Sequence, residues 1–297
     1  MTSPTAEHLV RYRRPGEPTV SIGVHSAGSV TPLPGVTSLA QLWQLRLEEL
    51  RELLTAPVAG TPVPLAEVEL LAPVDGRTEV WACGVTYETS REARIEESEK
   101  AADVYELVYE AERPELFFKS VGWRVRGPGQ TVGVRTDSTV DVPEPELALA
   151  VNRFGEVVGY TVCNDLSSRS IEGENPLYLP QAKIYSGGCA VGPWITPVWA
   201  VPDPYALDIA LTITRDGRPE WSGRASTSTL HRKLEDLVGY LMRGDVHPDG
   251  VLLSTGTCLV PPPPFSLGDG DTVQIDIDQV GTLTNPVVRG RLEEDQP

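Results

Sequence analysis

Glycine and proline constrain this chain more than any other feature. Each occurs 27 times among 297 residues, scattered along the whole length and not gathered into one tract. Proline cannot donate to a sheet ladder and breaks helix interiors, while glycine marks tight turns. Punctuation this dense predicts many short strands joined by turns. Apolar segments fall between the turns at 10–13, 19–24, 80–84, 116–119, 146–151, 157–164, 205–215 and 272–278. Helical spacing is confined to three stretches. The first is 38–54, with Leu42, Leu45, Leu47, Leu50 and Leu53 on one face and Ser38 as N-cap. The others are a charge-rich stretch at 88–112 and an amphipathic one at 230–242. Strands outnumber helices and do not alternate with them regularly. The fold class is therefore α+β, mainly β, and not a doubly wound sheet. A Pro/Gly-rich connector at 56–64 suggests a small N-terminal α/β domain at 1–72 and a larger β-rich domain at 73–297.

Composition narrows the partners. Hydrophobic residues make up 40% and charged residues 23%, enough to bury a normal core. The net charge of −17 argues against nucleic acid and anionic membrane, since both need a basic face. The longest basic cluster, Arg11-Tyr12-Arg13-Arg14, reads as a solvated strand end. Cys83, Cys163, Cys189 and Cys258 lie far apart without a CxxC pair, so neither a zinc signature nor a disulfide framework is indicated. No secretory signal pattern opens the chain, and no run reaches the roughly 18 apolar residues of a membrane helix. The expectation is a cytoplasmic protein with reduced thiols, acting on a small molecule.

The segment Val142-Pro143-Glu144-Pro145-Glu146-Leu147-Ala148-Leu149-Ala150 carries the chemistry. In an extended chain Glu144 and Glu146 point to one face, and Leu147 and Leu149 to the other. Side-by-side carboxylates repel unless a proton or cation lies between them. Spacing alone leaves an ordinary surface pair open. Asp165 adds a third carboxylate at the end of the apolar strand 157–164. Three oxygen donors with open positions suit a hard divalent ion such as Mg²⁺. His8, His25, His231 and His247 show no ligand spacing.

In this order and spacing the chain resembles the fumarylacetoacetate hydrolase superfamily. The resemblance rests on Glu144-x-Glu146, Asp165, Lys183, Gly192-Pro193-Trp194 and the turn Ser254-Thr255-Gly256-Thr257, and covers roughly residues 75–290. Two segments, 113–119 and 174–185, look like the branch that dehydrates 2-keto-3-deoxy sugar acids. The resemblance implies a β-rich catalytic domain, association into homodimers or homotetramers, and Mg²⁺ (or Mn²⁺ or Ca²⁺) on Glu144, Glu146 and Asp165. Hydrolase and decarboxylase branches carry a lid histidine, absent from Gly84-Val85-Thr86-Tyr87-Glu88-Thr89-Ser90-Arg91-Glu92. Elimination therefore fits better than water activation. On that reading a metal-stabilised enolate forms. Lys183 and Glu115 act as the catalytic pair, and Arg91, Lys119, Tyr87 and Thr257 bind substrate. Acylpyruvate C–C hydrolysis, decarboxylation of a 2-oxo diacid, and a biosynthetic paralogue with another substrate are the alternatives.

Overall fold

Short strands and tight turns follow one another along the chain, as the glycine and proline spacing predicts. The structure is a computed structural model that describes residues 7–56, 60–88 and 107–292. It opens with an antiparallel meander, β1 (His8–Arg13), β2 (Val20–Ser26) and β3 (Ser29–Pro32). Ala27 and Gly28 join the last two at φ of 50° and 79°, the left-handed pair that matches hairpin twist. Helices α1 (Leu39–Leu42) and α2 (Leu47–Thr55) follow, then β4 (Val63–Pro64), β5 (Glu69–Leu70) and β6 (Glu79–Gly84). Next come β7 (Glu115–Val121), β8 (Val132–Val134), β9 (Asp141–Val142), β10 (Pro145–Val151) and β11 (Val157–Asp165). The chain continues through β12 (Ser167–Ser168), α3 (Arg169–Glu174), α4 (Leu179–Lys183) and β13 (Cys189–Pro197). It ends with β14 (Asp208–Arg215), β15 (Arg218–Ser226), α5 (Leu234–Leu241), β16 (Val251–Ser254), β17 (Asp271–Ile277) and β18 (Gly281–Arg289).

Two sheets organise most of these strands, and β9 and β12 form a separate antiparallel pair. The larger has eleven, ordered β4-β3-β2-β1-β13-β11-β10-β16-β6-β7, with β5 beside β1. The smaller has five, ordered β15-β14-β17-β18-β8. Strand β10 is buried on both faces, which is why it reads as a continuous apolar run. Leu147, Leu149 and Val151 pack against Leu211 of β14 and Ile275 of β17 between the sheets. Ala148 and Ala150 face a second core with Leu9, Leu39, Trp43 and Leu252. The fold is mainly β. The N-terminal meander continues the larger sheet through β1 and β13, with Leu9 opposite Ile195.

The helix expected at 38–54 is two helices. Ser38 does cap the first, accepting the Ala40 N–H, and Gln41 completes a capping box. After Trp43 the chain finds other partners. Asn152 Nδ2 donates to the Leu45 carbonyl at 3.0 Å, and Glu156 accepts the Leu47 N–H at 2.9 Å. Arg46 is extended (φ −67°, ψ 156°) and starts α2, whose buried residues are Leu50 and Leu54. Leu53 lies on the exposed side. Tertiary hydrogen bonds from the β10–β11 turn thus override helical periodicity. Most of the charged stretch at 88–112 lies outside the described residues.

Where β1 meets β13, His8 stacks on Trp194 at 4.5 Å and on His25 at 5.6 Å between ring centroids. Thr196 Oγ1 donates to the Val280 carbonyl at 3.0 Å, so at its 3.0 Å contact with His8 Nδ1 it accepts. Burial, and then the nearby His25, pull the His8 imidazole from its ordinary 6.5 down to about 4. Between those values the unfolded chain binds the proton more readily, so this stabilisation is lost as pH falls from 6.5 toward 4. The melting temperature of the wild type should therefore drop more than that of His8→Gln between about pH 7 and about pH 4.5. Parallel pH dependences of the two proteins would contradict this assignment.

Candidate active site and metal centre

The site lies at the ends of β10 and β11. Glu144 precedes β10 and Glu146 sits within it, so two residues of extended chain carry both carboxylates to one side. Asp165 closes β11, and its N–H donates to the Glu144 carbonyl at 3.0 Å, which fixes the two strand ends together. One oxygen from each of Glu144, Glu146 and Asp165 lies within 4.8 Å of the others. All three are buried, at 2%, 1% and 0% exposure.

Different elements hold each carboxylate. Arg169, in the first turn of α3, donates to Glu144 Oε1 at 2.7 Å. Lys183, closing α4, donates to Glu144 Oε2 at 2.7 Å, Asp165 Oδ2 at 3.2 Å and Ser167 Oγ at 2.5 Å. Glu146 is treated differently. Ser254 Oγ donates to its Oε2 at 2.6 Å and the Gly256 N–H at 2.9 Å, both neutral. Gly256 needs its φ of 93°, and a Cβ there would sit 2.0 Å from Thr86 Oγ1. Burial, then the Asp165 and Glu144 charges, hold the Glu146 carboxyl well above the ordinary carboxylate range. A buried carboxylate given only neutral hydrogen-bond donors among the described residues, beside two more oxygen donors, fits a hard divalent cation.

A cleft opens above the triad. Gly84 and Val85, at and just past the end of β6, form one wall with Glu115 and Phe117 of β7. Cys83, Glu172, Leu179, Lys183 and Thr257 complete it over Glu144 and Glu146. Of the residues singled out from sequence, Glu144, Glu146, Asp165, Lys183, Glu115 and Thr257 thus converge. Thr257 Oγ1 also binds the Pro145 carbonyl at 3.1 Å. Lys119 is placed otherwise than expected. Its ammonium pairs with Asp165 Oδ1 and donates to the carbonyls of Leu166 at 2.9 Å and Lys183 at 2.7 Å. Those three protein partners match the three hydrogens of an ammonium, so Lys119 braces the site from behind. Tyr87 is fully buried in the inter-sheet core and off the cleft wall, because its backbone pairs with Leu230 and carries the ring inward. Arg91 lies outside the described residues.

Arg169, Glu172 and Ser167 were not singled out as site residues, and Ser254, though part of the turn that carries the resemblance, had no assigned role. A signal existed for the first two. Ser168 caps α3, its Oγ accepting the Ile171 N–H at 3.3 Å, and places a helix directly after Asp165. Residues three apart share a helix face. Arg169 and Glu172 can therefore both turn toward the carboxylates.

Fold and site together define a carboxylate-centred metal enzyme of the fumarylacetoacetate hydrolase family, to which the chain belongs. The family profile "Fumarylacetoacetate (FAA) hydrolase C-terminal" matches residues 81–288. Among curated relatives, a "Probable 2-keto-3-deoxyxylonate dehydratase" of Haloferax volcanii is 51% identical over 215 residues, covering 72% of this chain and 73% of that protein. A "2-dehydro-3-deoxy-D-arabinonate dehydratase" of Saccharolobus solfataricus is 44% identical over 228 residues, 76% of each chain. A solved structure of "2-keto-3-deoxy-D-arabinonate dehydratase complexed with magnesium and 2,5-dioxopentanoate" superposes with a TM-score of 0.81 at 35% identity. That match covers 96% of this chain and 99% of the other.

Removing one neutral donor from Glu146 tests whether the turn after β16 shapes the metal site. Ser254→Ala should keep the fold and weaken divalent-cation binding about 10-fold, as outer partners of metal ligands generally do. Isothermal titration with Mg²⁺ reads this directly, and unchanged affinity would contradict it.

Proposed function

We propose that this protein is a Mg²⁺-dependent hydro-lyase that removes water from a 2-keto-3-deoxy sugar acid. The observation that carries the reading is the grouping of Glu144, Glu146 and Asp165 with Lys183, at the base of a cleft bearing two further carboxyl groups, Glu115 and Glu172. Its likeness to relatives named as dehydratases supports the same reaction. No histidine lines the cleft among the described residues, and burial, then the Glu146 charge, push the Cys83 thiol well up, so the carboxyl groups and Lys183 are the available proton carriers.

Glu144, Glu146 and Asp165 would hold Mg²⁺, which when bound would supply Lewis-acid polarisation of the 2-keto group and so acidify the C3 hydrogens. The protein handles the protons. The C3–H bond breaks with its proton passing to the Glu172 carboxylate. The C4–O bond breaks as the Glu115 carboxylic acid protonates the leaving oxygen, so water departs and a C3–C4 double bond forms. In a pentonate a C5 proton then leaves as one is taken up at C3, and the resulting C4–C5 enol takes a proton at C4 and gives up its hydroxyl proton to become an aldehyde. Lys183 lines the cleft, and its positive charge stabilises the negative charge that develops on the keto oxygen while its hydrogens stay with protein acceptors. Its three acceptors, Glu144, Asp165 and Ser167, suit an ammonium and not the free amine that a Schiff base requires. Lys119 anchors Asp165, Thr257 contributes to the cleft wall, and Arg91 binds the substrate carboxylate with its planar fork. Tyr87 packs in the inter-sheet core, off the cleft wall.

We also place the protein in the cytoplasm, as a homodimer or homotetramer. Four free, buried cysteines suit a reducing compartment. The exposed apolar side chains of Leu177 and Tyr178, between α3 and α4, support a subunit contact, which light scattering would reveal as a mass above one chain.

Turnover of a 2-keto-3-deoxypentonate should vanish on dialysis against chelator and return with Mg²⁺. Glu146→Ala should stay inactive at every Mg²⁺ concentration while keeping its fold. Glu115→Gln and Glu172→Gln should each lower kcat by about 10²- to 10⁴-fold, the range for a lost general acid or base. Full activity in excess chelator would contradict the proposal.

A further inference from the structure

We propose that Gly84 is a positioning residue for the dehydration: the space left by its missing side chain holds the Glu115 carboxyl group in the cleft. The inference rests on the assignment of Glu115 as proton donor made above, and extends it to the opposing strand.

Gly84 closes β6 directly opposite Glu115 on antiparallel β7. Residues paired this way project their side chains on the same face, with Cβ atoms about 5 Å apart. A side chain at position 84 would therefore compete with Glu115 for that face. The structure shows the competition plainly. An ideal Cβ on Gly84 would lie 1.9 Å from Glu115 Oε2, 2.6 Å from its Cδ and 3.4 Å from its Cγ. Those are the three nearest atoms, and all belong to the Glu115 side chain. The carboxyl group thus lies over the glycine Cα.

Glycine has two other common reasons to occur, and neither applies here. Gly84 is not among the residues with positive φ, so any L-residue can adopt its backbone. No backbone atom crowds it, unlike Gly187, where a Cβ would stand 2.3 Å from the Gly133 nitrogen. Both Gly84 and Glu115 line the cleft above the carboxylate triad. What remains is the room Gly84 gives to one carboxyl group. A methyl group at position 84 would rotate the Glu115 carboxyl off the glycine and out of line with the leaving hydroxyl.

The test is a double-mutant cycle on the full chain with Mg²⁺ and a 2-keto-3-deoxypentonate: wild type, Gly84→Ala, Glu115→Ala and the double variant. Gly84→Ala should lower kcat about 10- to 100-fold, with KM, Mg²⁺ affinity and melting temperature nearly unchanged. Glu115→Ala should lose at least about 100-fold. The double variant should match Glu115→Ala within about twofold, because the methyl group then has nothing to displace. Wild-type kcat in Gly84→Ala would overturn the proposal, and so would a double variant whose losses multiply. Wild-type activity in Glu115→Ala alone would remove the role of Glu115 and the proposal with it, a failure visible in that single variant. Should Gly84→Ala fail to fold, a folded Gly84→Ala/Glu115→Ala protein would establish the collision with Glu115, whereas failure of both would overturn the proposal.

Discussion

Three carboxylates buried within 4.8 Å of one another set the terms for this structure. Two like charges at that distance repel by roughly 3 kcal/mol even at an effective dielectric constant of 20. A buried cluster of this kind persists only if counter-charges and hydrogen bonds offset the repulsion. The chain offsets it unevenly. Glu144 receives Arg169 and Lys183, and Asp165 receives Lys119 and Lys183. Glu146 receives a hydroxyl and a backbone N–H. The asymmetry leaves the strongest demand for positive charge beside Glu146, whose carboxyl group burial and the Asp165 and Glu144 charges push toward its neutral form.

The β architecture makes that arrangement rigid. β10 is hydrogen-bonded between β11 and β16 and covered on both faces by apolar residues. A side chain projecting from its end has little freedom to relax away from its neighbours, because both flanking strands and both cores fix its backbone. The proposed proton carriers come from other elements. Lys183 and Glu172 come from two short helices after β11, and Glu115 comes from the edge strand β7. The carboxylates proposed to hold the metal thus stand at the ends of central strands, and the proposed proton carriers on short helices and an edge strand.

The alternation of Glu144 and Glu146 against Leu147 and Leu149 was legible because a strand has a period of two and both its faces meet defined environments. Asp165 was legible as the polar end of an apolar run. What could not be read was set by long-range contacts. The break between α1 and α2 depends on Asn152 and Glu156, over 100 residues away. Lys119 looks like any cationic residue near a site until the Leu166 and Lys183 carbonyls are seen to take its hydrogens. Tyr87 stands beside the cleft segment in sequence, yet strand twist and the bridge to Leu230 turn it into the core. Gly84 carries no side chain to interpret, and its meaning lies wholly in the residue across the ladder.

The central claim is that this site eliminates water and leaves the carbon chain whole. Proton NMR and mass analysis of a reaction run in deuterium oxide, with Mg²⁺ and a 2-keto-3-deoxypentonate, test it most directly. The expected result is a single five-carbon product lacking one water, with an aldehyde proton and solvent deuterium on its carbon chain. Two smaller fragments, or release of carbon dioxide, would contradict it.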